Sequence, residues 1–436
     1  MEDIMVLSII SNIVIYGTIL AVFLRVLSRC GIALPSGTVS RAVLADKSRG
    51  ASDEVGAREL MIIFAACVAF RLVIYIISAV PISLFTSEES LSFSSWLSQW
   101  RQWDANGYNH MIAGGYDEMV ENGTYVTLVF FPLFTFIASI FDTFIKNTEI
   151  SALLTSTLCY AGACCFLYKL AALDFGRSAA KKALLYISVF PFGFFFGAML
   201  TESTFLLTSA ATLYYIRKHN WLMAGVLGAL AALSRLAGIM LIFPAAVEFI
   251  EHYRIFGLFK EKKAGQAMSL IAKKGSLLLI AFVGILIYLW CNYSVTGDWF
   301  YFMDLHKTVW TQETCYFGEC IRIIWDTMLS DRTLMVKAAI FVPEVILIII
   351  MLVFMVYGIR RTRSMYTTYF VVYFVVNLCA TWIISFGRYS LCAIPMFLCM
   401  AEFSDRHESA HAPITAISAI LFGIYLTGYL FGKQIM

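Results

Sequence analysis

Four short stretches set ionisable residues inside or at the mouth of apolar runs, which is where a chain of this kind can do chemistry. The first is residues 96–116, WLSQWRQWDANGYNHMIAGGY, with Asp104 between Trp103 and Ala105. Its tryptophans and tyrosines suit a helix lying at headgroup level, but such an anchor gains nothing from a carboxylate. Arg101 stands three residues before Asp104, at the spacing of an i, i+3 pair, and Tyr108 four residues after it, on the same face. The second is AMLTESTF, residues 198–205. It reads either as a tight turn capped by Thr201, or as a carboxylate, Glu202, that binds hydroxyls or neutralises an arginine. Ser234-Arg235 is the third, and SFGRYSLCAIP, residues 385–395 with Arg388 and Tyr389, the fourth. Each arginine alone also reads as a side chain reaching for headgroups. Two arginines with an aspartate at one end of a bundle make a better anion site. Asp304, His306 and Lys307 read either as headgroup contacts or, more simply, as an ordinary solvated loop. No GxxxxGK[ST], paired CxxC or GxSxG pattern occurs.

The elements that must position these residues follow from composition. Of 436 residues 60% are hydrophobic and 14% charged, with mean hydropathy +0.78. A soluble domain is about 45–50% apolar and about 25% charged. That excludes a soluble enzyme, a disordered chain and a secreted disulfide scaffold, and leaves an all-α polytopic membrane protein. At roughly 20 residues per crossing the apolar residues fill at most about 13 spans. A net charge of +3 gives no footprint for nucleic acid. Most of the eleven cysteines fall in apolar runs as small hydrophobes. Cys315 and Cys320, in a polar stretch, are the one pair placed to form a disulfide.

Basic residues orient the chain. They put loops 28–59 (with Arg41, Lys47 and Arg49), 251–274 and 358–365 in the cytoplasm, and loops 82–125 and 294–335 outside. Residues 1–436 then form one membrane domain with all four stretches at its external side. The first run, 5–27, lacks a basic n-region and is kept as a span. Run 126–145, with FFPLF, must dip in and return for the basic loops to agree. Run 221–250 is too long for one crossing and reads as two short helices meeting at Ser234-Arg235.

The blocks RQWDANGYNHMIAGGY, FFPLF, FPFGFFFGAMLTESTFLL, GALAALSRLAGIMLIFP and FGRYSLCAIPMF follow one another between residues 96 and 403. In that order they resemble the PIG-V family, the second mannosyltransferases of glycosylphosphatidylinositol synthesis and their prokaryotic relatives. The WDANGY wording looks closer to the prokaryotic members, hence a bacterial plasma membrane rather than the endoplasmic reticulum. The resemblance implies a GT-C type bundle of about 11–13 transmembrane helices, with interfacial helices in a large first external loop. It also implies inverting transfer of a hexose, mannose in this family, from a dolichyl or undecaprenyl phosphate to a hydroxyl of a lipid-linked or glycan acceptor. The family's aspartate is carried to Asp104, its TES acid to Glu202 and the arginines of its SR and RY blocks to Arg235 and Arg388. Arg101, Trp103, Asn106, Tyr108 and Tyr389 are expected as further substrate contacts. Inverting transfer needs a base for the attacking hydroxyl, here Asp104. Arg235 and Arg388 would stabilise the leaving phosphate, so neither metal nor cofactor is expected. The expected partners are the donor, the acceptor and membrane lipids, with no nucleic acid. A transporter or lipid flippase is the alternative, with its charges near the bilayer midplane and paired repeats. In a third reading, an assembly scaffold, Asp104 is dispensable.

Overall fold

A computed structural model describes residues 2–32, 54–85, 92–117, 123–379 and 385–435. Arg41, Lys47 and Arg49 of the first basic loop lie outside them. Every regular element among the described residues is helical. Seven segments are long and apolar enough to cross a membrane: Ser8–Arg29, Ala57–Leu84, Thr148–Phe175, Leu236–Tyr253, Ala264–Thr296, Leu334–Arg361 and Glu408–Leu430. Three shorter apolar helices lie among them, Leu133–Ile145, Trp221–Ser234 and Ser364–Leu378. The chain is an all-α polytopic membrane protein.

Some apolar runs counted in the sequence are interior rather than lipid-facing. Residues 203–216 belong to the helix Glu202–Arg217, which is buried along most of its length. Its hydroxyls bond back to the preceding turn, Thr208 to Thr204 O at 2.9 Å and Thr212 to Thr208 O at 2.7 Å. Small side chains satisfied in this way let neighbouring helices approach closely. Residues 193–197 form a tight turn in which Phe194, Phe195 and Phe196 are wholly buried. They make a hydrophobic floor just before Glu202.

The central helix defines two ends. Glu202 lies at one, and Arg217 at the other, bonded to Asp174 at 2.8 Å. They are about 22 Å apart at 1.5 Å per residue, less than the roughly 30 Å of a hydrocarbon core. The helix Thr148–Phe175 runs alongside in the same sense, with Cys159 beside Thr204 and Asp174 beside Arg217. Ser156 in it donates to Ala198 O at 2.6 Å, and the two turns that precede Ser156 rise about 12 Å beyond that level. Glu202 therefore sits in a bowl, recessed below the end of the bundle.

Run 221–250 builds the bowl's inner wall. Trp221–Ser234 stops at Arg235, whose extended backbone (φ −158°, ψ 150°) cannot continue a helix. A short turn and Ile242–Tyr253 then bring the chain back, so the His252 ring stacks 3.6 Å from that of His219. Gly238 permits the reversal, since a Cβ there would lie 2.2 Å from the backbone of Ala231. Segment 126–145 forms another wall. Phe130 packs on Tyr108 at 4.7 Å, and the helix Pro132–Ile145 climbs from there to Lys146, beside the start of Thr148–Phe175. With 14 residues it is about 21 Å long.

Candidate active site

Trp103 holds a left-handed backbone, φ +50°, a region bulky residues rarely occupy. Such a conformation costs about 1–3 kcal/mol and persists only where packing enforces it. Here Tyr429 packs edge-on at 5.2 Å and Phe195 lies at 6.2 Å. The turn separates the helix Phe93–Trp100 from the helix Ala105–Gly114. Asp104, at the start of the latter, makes no side-chain cap bond to it. Its carboxylate instead reaches across the bowl and accepts from Arg388 Nη1 at 2.8 Å.

A chain of charges continues from there. Arg388, in the helix Phe386–Ser390, donates through Nε to Glu202 Oε1, and Arg235 Nη1 donates to that same oxygen at 2.9 Å. Glu202 is the first residue of its helix, where the helix dipole favours a carboxylate. It is completely buried. The order is Asp104–Arg388–Glu202–Arg235, with two acids and two guanidiniums that cancel. Pairing is what makes such burial tolerable, because an isolated charge would bear the full desolvation cost. The Arg235 guanidinium also lies 5.0 Å over the Tyr389 ring and 5.9 Å over Phe205. Arg388 lies 5.7 Å over Phe195. These are cation–π contacts that hold both arginines without using up their donors.

The chain of charges faces a cavity of about 340 Å³ lined by Asp104, Tyr108, Arg235, Arg388 and Tyr389. Asp104 is 32% exposed there. Among the described residues only its Oδ2 has a protein partner, and Oδ1 accepts no hydrogen bond. Two fixed guanidiniums and an open carboxylate oxygen can together bind an anion and take a proton beside it.

Five of the nine sequence candidates thus line one cavity. Glu202 lies beneath it, fully buried, and pairs with both arginines. The remaining three lie elsewhere. Arg101 does not pair with Asp104 but with Glu149, at 3.0 Å, because the left-handed turn at Trp103 swings the aspartate away. Trp103 packs against the protein rather than the cavity, and Asn106 is exposed, its amide 3.4 Å from Trp103 O.

Sequence reasoning missed the wall opposite. His306, Trp310 and Gln312, from the segment 294–335, also line the cavity. The helix Tyr301–Thr308 carries His306, and Gln312 N donates to His306 O at 2.9 Å, folding the loop back on itself. Cys315 and Cys320 are disulfide-bonded, and Cys315 N donates to Cys379 O at 3.3 Å, next to the segment that leads to Arg388. The cysteine pair was the one sequence signal that this loop is fixed rather than merely solvated. Burial pushes the His306 imidazole below its usual value of 6.5, so it stays neutral near pH 7. Among the described residues no three His, Cys, Asp or Glu side chains gather in a way that could hold a metal ion.

Residues 131–288 match the family model described as dolichyl-phosphate-mannose-protein mannosyltransferase. No curated protein matches the chain. Among solved structures, the crystal structure of ArnT from Cupriavidus metallidurans bound to undecaprenyl phosphate is similar at 12% identity, covering 87% of this chain and 77% of that one, with a TM-score of 0.49. The oligosaccharyltransferase of Archaeoglobus fulgidus in the apo form is similar at 13% identity, covering 87% of this chain and 55% of that one, with a TM-score of 0.40.

Proposed function

We propose that the protein is a membrane-embedded, inverting glycosyltransferase that moves a hexose, mannose in the favoured reading, from a polyprenyl phosphate to a hydroxyl of a lipid-linked or glycan acceptor. The observation that carries this is the open Oδ1 of Asp104 in a recessed cavity whose wall holds the guanidiniums of Arg388 and Arg235. The family-model match at residues 131–288, which takes in Phe131, Glu202 and Arg235, supports the same donor class. So does the resemblance of the WDANGY, TES, SR and RY blocks to PIG-V proteins.

In this reading the donor phosphate rests on Arg388 and Arg235. Asp104 takes the proton of the acceptor hydroxyl as its oxygen attacks the anomeric carbon from the face opposite the phosphate. The new C–O bond forms, the bond to the phosphate oxygen breaks, and the electron pair leaves with the lipid phosphate. Charge grows on that oxygen during departure, so pre-positioned guanidiniums lower the barrier. Glu202 keeps the two arginines from repelling each other. The bowl lets a lipid-borne phosphate enter from the bilayer edge while its sugar meets the cavity. A bacterial plasma membrane, with this end outward, is the location the reading favours.

The test is transfer of radiolabelled mannose from polyprenyl-phosphate-mannose into the extractable lipids and glycans of membranes containing the protein. Asp104→Asn keeps the shape and loses the base, so transfer should fall by about 10²–10⁴-fold with melting unchanged. A folded Asp104→Asn protein that transfers at the parent rate overturns the proposal.

A further inference from the structure

A second cavity lies far from the first, on the outer surface towards the opposite end. It is a groove of about 610 Å³ between the helices Glu2–Arg29 and Val342–Arg361. Ile13, Val14 and Gly17 line one side and Val356 and Ile359 the other, all within apolar membrane-crossing segments. The space beside Gly17 is open, since a Cβ added there would meet no atom within 4 Å. An occupant at this depth must be apolar along most of its length.

The mouth of the groove is cationic, with Arg360 and Arg361 on its rim. The arginines around it are otherwise paired. Arg25 donates to Thr362 O at 3.5 Å, Arg29 faces Glu251 at 3.7 Å, Arg361 faces Glu402 at 3.8 Å, and Arg363 binds Glu248 at 2.8 Å. Arg360 is half-buried, and among the described residues it has no hydrogen-bond or ion-pair partner. An unpaired guanidinium at the end of an apolar groove lacks one thing, an anion attached to a hydrocarbon chain. Basic pockets between membrane helices on the side rich in lysine and arginine recognise acidic lipid headgroups, and the guanidinium fork matches a phosphate.

We propose that this groove is a binding site for one anionic phospholipid. Its phosphate lies on Arg360 beside Arg361, and one acyl chain runs along Gly17 towards Ile13. The site is independent of the transfer reaction. Charge selects the headgroup, and the open space at Gly17 admits the chain.

The experiment is native mass spectrometry of the full-length protein after exchange into vesicles of phosphatidylglycerol and phosphatidylcholine in equal amounts. The parent should retain phosphatidylglycerol preferentially. Arg360→Ala should lower that preference by about fivefold, the size expected for one arginine near a headgroup. Arg360→Lys should keep part of it. Gly17→Leu, which leaves the arginines intact, should displace the lipid by filling the groove. Equal retention of the two lipids by the parent overturns the proposal. So does an unchanged preference in a folded Arg360→Ala protein.

Discussion

At one end of the helix Glu202–Arg217 a fully buried carboxylate, Glu202, accepts from Arg388 and Arg235. Towards the other end another fully buried carboxylate, Glu248, accepts from Arg363 at 2.8 Å and His219 at 3.0 Å. The two arrangements share their chemistry and their cost. They differ in what comes next. From Glu248 the network passes outward to His219, stacked on His252, and through Arg363 towards Asp174, a carboxylate that is itself buried and bonded to Arg217 and Tyr366. From Glu202 it passes through Arg388 to Asp104, whose second oxygen opens into a cavity. A buried ion pair by itself is a fastening. The same pair extended by one accessible acid is a candidate reaction centre. Burial and pairing thus do not separate the two ends, whereas exposure of the last group does.

The sharpest way to break the comparison is to remove the arginine at each end. Arg388→Ala should lower sugar transfer by about 10²–10³-fold, the scale for losing one transition-state donor. Arg363→Ala should leave transfer per folded molecule within a few-fold. Arg388→Lys guards against misfolding, because it keeps the charge but loses the simultaneous bonds to Asp104 and Glu202 and should still transfer poorly. Initial rates normalised to folded protein check this. Similar losses from Arg363→Ala would place function at both ends.

Removing the acids comes next. Glu202→Gln and Glu248→Gln each remove a fully buried carboxylate that pairs with two basic side chains and should lower stability alike, by about 3–5 kcal/mol. Thermal melting should show similar shifts for the two. Only Glu202→Gln should also reduce transfer in the fraction that stays folded, since only there do the released guanidiniums border the cavity. Equal stability loss with unequal activity is the signature that separates a fastening from a site.

How far the sequence reveals this depends on which physical rule governs each residue. Asp104, Glu202, Arg235 and Arg388 are legible because charge is conspicuous in an apolar chain. The break at Arg235 is legible because run 221–250 is the wrong length for one crossing or for two full ones. Pairing is not legible. The i, i+3 spacing of Arg101 and Asp104 assumes a continuous helix, and the left-handed turn at Trp103 breaks that assumption. Span counting overreaches where an apolar helix such as Glu202–Arg217 is buried by protein instead of lipid. His306 is discounted from sequence because its neighbours Asp304 and Lys307 are ordinary surface residues. Only tertiary folding turns one face of the helix Tyr301–Thr308 towards Asp104's cavity.

That wall gives a smaller and pH-dependent effect. His306→Gln should lower transfer by about tenfold, within the reach of one neutral hydrogen-bonding group in a cavity. The sign of its titration follows from burial. The imidazole is held below 6.5 in the fold, so the unfolded chain binds the proton more readily. Its contribution to stability is present above about pH 6.5 and is lost as pH falls through that value towards the lowered pKa. Melting profiles of the parent should therefore slope downward with acidification in this window, and His306→Gln should flatten that part of the slope. An identical slope in the variant would assign it to another group.

The smallest expected effect lies at Arg101, and it tests the comparison from outside. Arg101 is three residues from Asp104 in sequence, yet its partner is Glu149 and its side chain is 43% exposed. An exposed pair of this kind contributes about 0–1 kcal/mol, because solvent screens the attraction and holding two long side chains costs entropy. Arg101→Ala should leave melting nearly unchanged and transfer within about twofold on the same grounds. Raising the salt concentration should erase even that difference, since exposed charges are screened beyond about 8–10 Å at ordinary ionic strength. A large loss of transfer at constant melting would mean that Arg101 leaves Glu149 and turns into the bowl when substrate binds. The reaction centre would then reach beyond the cavity seen around Asp104, and exposure of the last group in a charge chain would no longer be enough to mark its edge.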